Sequence, residues 1–174
     1  MREQADLFLG DHGLHDHHPV DIEWLVDVVL GIDVVPVPRL KSEHDVDGII
    51  ARDGSTIWVD WGVYMHENNF RYRYTLAHEL GHWILHRELL AEAEFDTVDQ
   101  WRVFLDGFSD SARGRYEHQA YCMGGLLPVQ RDPLSSGVDQ IVTAASAAGA
   151  ELDVADEGQC RLLCRRVGRT IGLA

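Results

Sequence analysis

The stretch RYTLAHELGHWILH, Arg73 to His86, constrains this chain more than any other. Histidines recur at 78, 82 and 86, every fourth residue, among Leu76, Ala77, Leu80, Trp83 and Ile84. Apolar residues at three- and four-residue spacing predict an amphipathic helix, and that helix lines its histidines along one face. The helix is expected over Arg71 to about Leu90.

Two imidazoles one turn apart can offer nitrogens to a single ion at roughly 2.0–2.1 Å. Glu79 lies about 100° round the helix from His78 and about 60° from His82. It is too far round to ligate comfortably, yet it can reach a water on the open side of the metal. HExxH therefore points to metal-assisted hydrolysis, with His78 and His82 as ligands and Glu79 as general base. On a straight helix His86 stands about 12 Å along the axis from His78. Three such side chains cannot converge on one tetrahedral centre, so His86 is expected to support or cap the site. Gly81, inside the motif, costs about 1 kcal/mol of helix propensity against alanine. It is tolerable where a neighbouring element passes close to the backbone.

A further ligand must come from another element. RGRYEHQAYCMGGLLP supplies Glu117 and His118 on a helix expected over Arg113 to Leu127 and stopped by Pro128. These two lie about 100° apart, so only one is expected to face inward. Ala120, Gly124 and Gly125 are small enough to let that helix approach closely. Two histidines and a carboxylate suit zinc, and manganese or iron takes the same ligands. Tyr64, His66, Tyr72 and His118 are candidates for stabilising an oxyanion.

These residues resemble the ImmA/IrrE family of metallopeptidases. The family's Arg-x-Arg-aromatic-Thr-Leu-Ala-His-Glu-Leu-Gly-His run, ending in Leu-His, reads here RYRYTLAHELGHWILH. The downstream EHQAYCMGGLLP is similar to its second helix, although Ala120-Tyr121 and Met123-Gly124 stand where Ala-Asn and Phe-Ala are usual. The segment DGIIARDGSTIWVDW is similar to the sheet preceding its active-site helix, and the likeness spans residues 20 to 130. It implies a zincin-like fold with His78, His82 and Glu117 as ligands and Glu79 as base. It also implies a cytoplasmic endopeptidase acting on a regulatory protein, commonly a helix-turn-helix repressor, as a separate chain. A different class of function uses the same residues: a non-catalytic zinc protein whose acidic surface captures a repressor. A third is hydrolysis of a small amide, although the cysteine element of peptide deformylases is missing.

Elsewhere the chain predicts an α+β domain. Asp21 is a candidate N-cap for a helix through Leu30 that ends at Gly31. IDVVPVP reads as a short edge strand cut off by prolines. Residues 40 to 53 look irregular, Asp53-Gly54 turns a hairpin between Ile49–Ala51 and Thr56–Val59, and 62 to 70 look like a connector. Together the three strands are expected to form a small antiparallel sheet. Residues 96–108 read as a shorter helix or an ordered loop, and later helices are expected over 136–148 and 157–170. Residues 1–20 read as a His-rich tail, with His12, His15, His17 and His18 able to capture a metal. Residues 21–174 are expected to form one zincin-like domain. The 29 acidic against 15 basic residues give a net charge of -14, which argues against direct nucleic-acid binding. No apolar run is long enough to span a bilayer and no secretory signal is evident, so a cytoplasmic protein is expected. Cys122, Cys160 and Cys164 are an odd set, which predicts reduced thiols.

Overall fold

The computed structural model describes residues 1–14, 17, 19–66, 69–129, 131–150 and 156–170. Its described elements run α1 (Arg2–Asp11), α2 (Ile22–Trp24), β1 (Asp33–Val37), α3 (Leu40–His44), β2 (Gly48–Ile50), β3 (Thr56–Asp60), α4 (Trp61–Tyr64), α5 (Phe70–Glu92), α6 (Val98–Asp106), α7 (Asp110–Leu126), α8 (Arg131–Ala147) and α9 (Glu157–Thr170). The architecture is α+β, largely helical around one three-stranded sheet. Where a single domain was expected from residue 21, the chain divides into two compact units. One comprises Met1–His15 with Asp21–Pro128, the other Asp16–Val20 with Val129–Ala174. The second holds α8 packed with α9. Among the described residues no helix is long and apolar enough to cross a membrane.

The sheet has the order β1-β3-β2 and is mixed, not antiparallel throughout. β2 pairs antiparallel with β3 across the hairpin, where Gly54 sits at φ +73. β1 pairs parallel with β3, from Asp33↔Thr56 to Val37↔Asp60. The reason lies in residues 40–53, which are less irregular than their charge suggests. Arg39 and Asp45, both at positive φ, bracket α3, and this compact crossover carries the chain past the centre of the sheet to its far edge. The hairpin then brings β3 back into the middle beside β1. Pro36 falls on the edge strand β1, where a missing N–H does the least damage to the ladder.

Asp60 ends β3 and ties three elements together. Its carboxylate accepts from the Lys41 N–H of α3 at 2.8 Å and from Gly62 and Val63 N–H of α4 at 2.8 and 3.3 Å. A buried carboxylate with three amide donors is well satisfied. It also gives the supposed connector after Asp60 its one-turn helix. The Asp21 cap holds, accepting from Trp24 N–H at 3.2 Å. Beyond it the predicted helix widens into a π-turn over Leu25–Val29, with Leu30 N–H bonded to Leu25 C=O.

The N-terminal residues are not a tail. Arg2–Asp11 is helical and buries Ala5 and Leu9, four residues apart on one face, against α7. Phe8 meets Trp83 edge-on at 6.5 Å. The apolar residues Ala5, Phe8 and Leu9 among the charges dock this helix, a stripe that the histidines after it obscure. His12 donates a ring N–H to the Phe8 carbonyl at 2.7 Å. His17 is exposed, and His15 and His18 lie outside the described residues.

Candidate metal centre

The centre is built by α5 between the sheet and α7. Leu76, Ala77 and Leu80 are fully buried and anchor the helix. Its neighbouring faces point Thr75 and Glu79 toward β2, and His78 and His82 toward α7. The α5–α7 crossing is close because its contact residues are small. A Cβ on Gly81 would stand 2.9 Å from the Ala120 carbonyl oxygen and 2.9 Å from Met123 Cβ. One on Gly124 would stand 3.2 Å from His78 N. Gly125, also expected at this contact, has open space around it. Gly81→Ala gains helix propensity yet pushes α7 away, and overpacking of this kind costs about 1–3 kcal/mol. The variant is therefore expected to melt lower and to bind zinc more weakly, as read by thermal denaturation and zinc titration.

The crossing sets Glu117 opposite the two histidines. His78 Nε2 and His82 Nε2 are 3.1 Å apart, and Glu117 Oε2 lies 3.4 and 3.6 Å from them. Tetrahedral ligands at roughly 2.0–2.1 Å from an ion are about 3.3 Å apart, so the triangle has the edge lengths of one face of such a shell. This is the metal-capable cluster found among the described residues. The donors are two imidazoles and one carboxylate, a set that fits zinc but does not single it out. His118 faces outward, exposed, with its Nε2 3.5 Å from Cys122 Sγ. One of the adjacent pair points inward, as the helix geometry required.

Electrostatics keeps His82 and Glu117 in ligating form, while on His78 it favours the proton that a cation would displace. Burial holds the His82 imidazole down at about 4, so it is neutral. Burial also opposes charge on His78, but the Glu117 and Glu79 carboxylates more than reverse this and raise it. Glu117 is pushed up by burial and brought well below the carboxylate range by its contacts with His78 and His82, so it is ionised.

Glu79 is buried, and its Oε2 accepts from the Ile50 main-chain N–H at 3.0 Å. Burial lifts its carboxyl to about 7, with the Glu117 charge adding and His78 opposing. The edge strand can come this close because Gly48 has no side chain: a Cβ there would stand 2.6 Å from Thr75 Cγ2.

A cavity of 220 Å³ opens over the cluster, with His78, Glu79, His82 and Glu117 among its lining. Asp47, Gly48 and Ile50 contribute to it from the sheet side, and Tyr74, Trp101 and Tyr121 from the helices. Asp47 takes paired hydrogen bonds from Arg71 Nε and Nη2, both at 2.6 Å. Burial pushes its carboxyl up, and Arg71 with Lys41 reverses that to leave it below its ordinary value. None of Tyr64, His66, Tyr72 and His118 lines the cavity. Tyr64 and Tyr72 pack edge-on against each other at 5.4 Å instead. Three phenols do line it, Tyr74, Tyr116 and Tyr121. Tyr74 donates its hydroxyl to the Tyr121 carbonyl at 3.3 Å, and burial raises it to about 12.

Behind the ligands, α5 departs from helical geometry at His86, with φ -123 and ψ 21. His86 Nδ1 meets His82 Nδ1 at 3.2 Å, and Tyr116 stacks on both imidazoles. Tyr116 escaped the sequence reading, although it shares a helical stripe with Ala120, Met123 and Leu127, all buried. The Ile50 amide left no signal, since any residue carries one.

Comparison of the chain with protein-family models, with curated proteins and with solved structures gives no match.

Proposed function

We propose that this protein is a zinc-dependent endopeptidase with a zincin-like site, cutting a regulatory protein of the helix-turn-helix repressor kind. The observation that carries the reading is the donor triangle of His78, His82 and Glu117, with the buried Glu79 beside it under a cavity. The likeness of RYRYTLAHELGHWILH to the ImmA/IrrE motif supports the choice of a protein substrate and an intracellular setting.

His78, His82 and Glu117 would hold the cation, which supplies Lewis acidity for the scissile carbonyl and acidifies a water molecule. Glu79 is the base. It would take a proton from the attacking water as the oxygen bonds to the carbonyl carbon, and deliver that proton to the amine nitrogen as the C–N bond breaks. In the metal-free chain burial lifts this carboxyl to about 7, and a buried carboxylate with a raised value gives its proton back more readily than a solvated one. The Ile50 N–H holds its far oxygen in place. Tyr74, protonated and lining the cavity where the four earlier candidates do not, becomes a donor to the developing negative charge by turning its hydroxyl away from the Tyr121 carbonyl.

The test is incubation of the purified protein with candidate repressors from the same genome, with zinc or with chelator, followed by mass spectrometry of fragments. A discrete cut made with zinc and lost with chelator is the expected result. Cleavage that survives chelation, or no cleavage of any candidate, would overturn the proposal.

A further inference from the structure

We infer that His86 and Gln119 form a positioning relay that fixes the tautomer of His82. The inference rests on the metal-site reading above and assigns work to two residues that this reading leaves unused. Gln119 Oε1 lies 2.9 Å from His86 Nε2. A carbonyl oxygen only accepts, so His86 carries its proton on Nε2 and presents a bare Nδ1. That nitrogen stands 3.2 Å from His82 Nδ1, which must then be the protonated one. His82 Nε2 is left with its lone pair, 3.6 Å from Glu117 Oε2 and 3.1 Å from His78 Nε2. One amide oxygen on α7 thus decides, through two rings, which nitrogen of His82 is free to ligate.

The backbone break at His86 belongs to this arrangement, because it lies at the residue whose ring makes the link. Tyr116 holds both imidazoles by stacking, at 4.2 Å and 27° to His82 and at 4.3 Å and 28° to His86. The two imidazole centroids are only 5.4 Å apart, so both rings lie on the same face of the phenol. An outer hydrogen-bond partner of a ligating histidine commonly sets its ring orientation and proton position. Here that partner is a second histidine on the same helix, oriented in turn from the crossing helix.

The experiment uses the full chain with ¹⁵N-labelled histidine. In the metal-free wild type, His82 is expected as the single tautomer protonated on Nδ1. His86→Phe, which keeps a ring against Tyr116, and Gln119→Leu, at an exposed position, are expected to mix the His82 tautomers. Zinc affinity, measured by competition with a chromophoric chelator, should fall about 10–100-fold in both. His86→Asn, whose amide oxygen can occupy the place of Nδ1, should restore most of that loss. Unchanged His82 tautomer and zinc affinity within about twofold in both the Phe and the Leu variants would overturn the relay. A wild type that shows the fixed tautomer but binds no zinc supports the relay and sinks the metal-site reading, so the two failures are told apart.

Discussion

Glu79→Gln is expected to bind zinc within a few-fold of the wild type and to lose hydrolysis by about 10²–10⁴, the contribution of a general base. Glutamine keeps the length of glutamate and can still accept the Ile50 N–H that Glu79 Oε2 accepts at 3.0 Å. It cannot take a proton from water. Stability gives an independent check. The Glu79 carboxyl is raised from 4.5 to about 7 on folding, so the folded state holds its proton longer than the unfolded chain does. That difference costs the metal-free wild type stability progressively as pH rises from 4.5 through 7, with the full cost present above that range. Metal-free Glu79→Gln has no such cost and should melt higher than the wild type at pH 8 and no higher at pH 4. Near wild-type cleavage by this variant would remove Glu79 from the chemistry. Loss of cleavage with the cellular effect on a repressor intact, while His78→Ala destroys that effect, would favour a zinc protein that acts by binding.

Glu117→Ala should remove tight zinc binding, while His118→Ala leaves it unchanged. Loss of one ligand is expected to weaken affinity on the order of 10³, since roughly 10–16 kcal/mol of site energy is divided among three or four ligands. Glu117 is half-exposed, with 41% of its side chain accessible, so its truncation opens onto solvent instead of leaving an enclosed cavity, and the fold should survive. The pair of variants is decisive because the two residues are neighbours in sequence and opposed in direction. Chelator competition on both, with circular dichroism to confirm folding, reads the result. Equal losses in both, or none in either, would place the third ligand elsewhere.

The site residues were legible because a helix converts spacing into direction. His78 and His82 share a face at four-residue separation whatever the helix packs against, and Glu79 must lie beside them. Gly81, a poor helix former inside a strong helix, already implied a close neighbour, and that neighbour is the backbone of α7 at Ala120. The sheet was legible only by parts. Its strands and hairpin follow from β-branched residues and Asp53-Gly54, but the parallel pairing of β1 depends on how a short crossover bracketed by two left-handed residues turns in space. The first helix was hidden because its docking stripe is short, only Ala5, Phe8 and Leu9 set among polar and charged residues.

By itself the sequence determined the chemistry on offer: two imidazoles and a carboxylate in fixed relation along α5, and a second helix with small residues able to approach. Tertiary structure alone decided that the crossing helix sets Glu117, the carboxylate the resemblance named, within reach of both rings, that the Ile50 amide holds Glu79, and that a break at His86 brings a third ring against His82. The physical reason is that local periodicity sets angles within one element. Contacts between elements depend on crossing geometry, and main-chain donors and backbone breaks carry no residue type that would announce them.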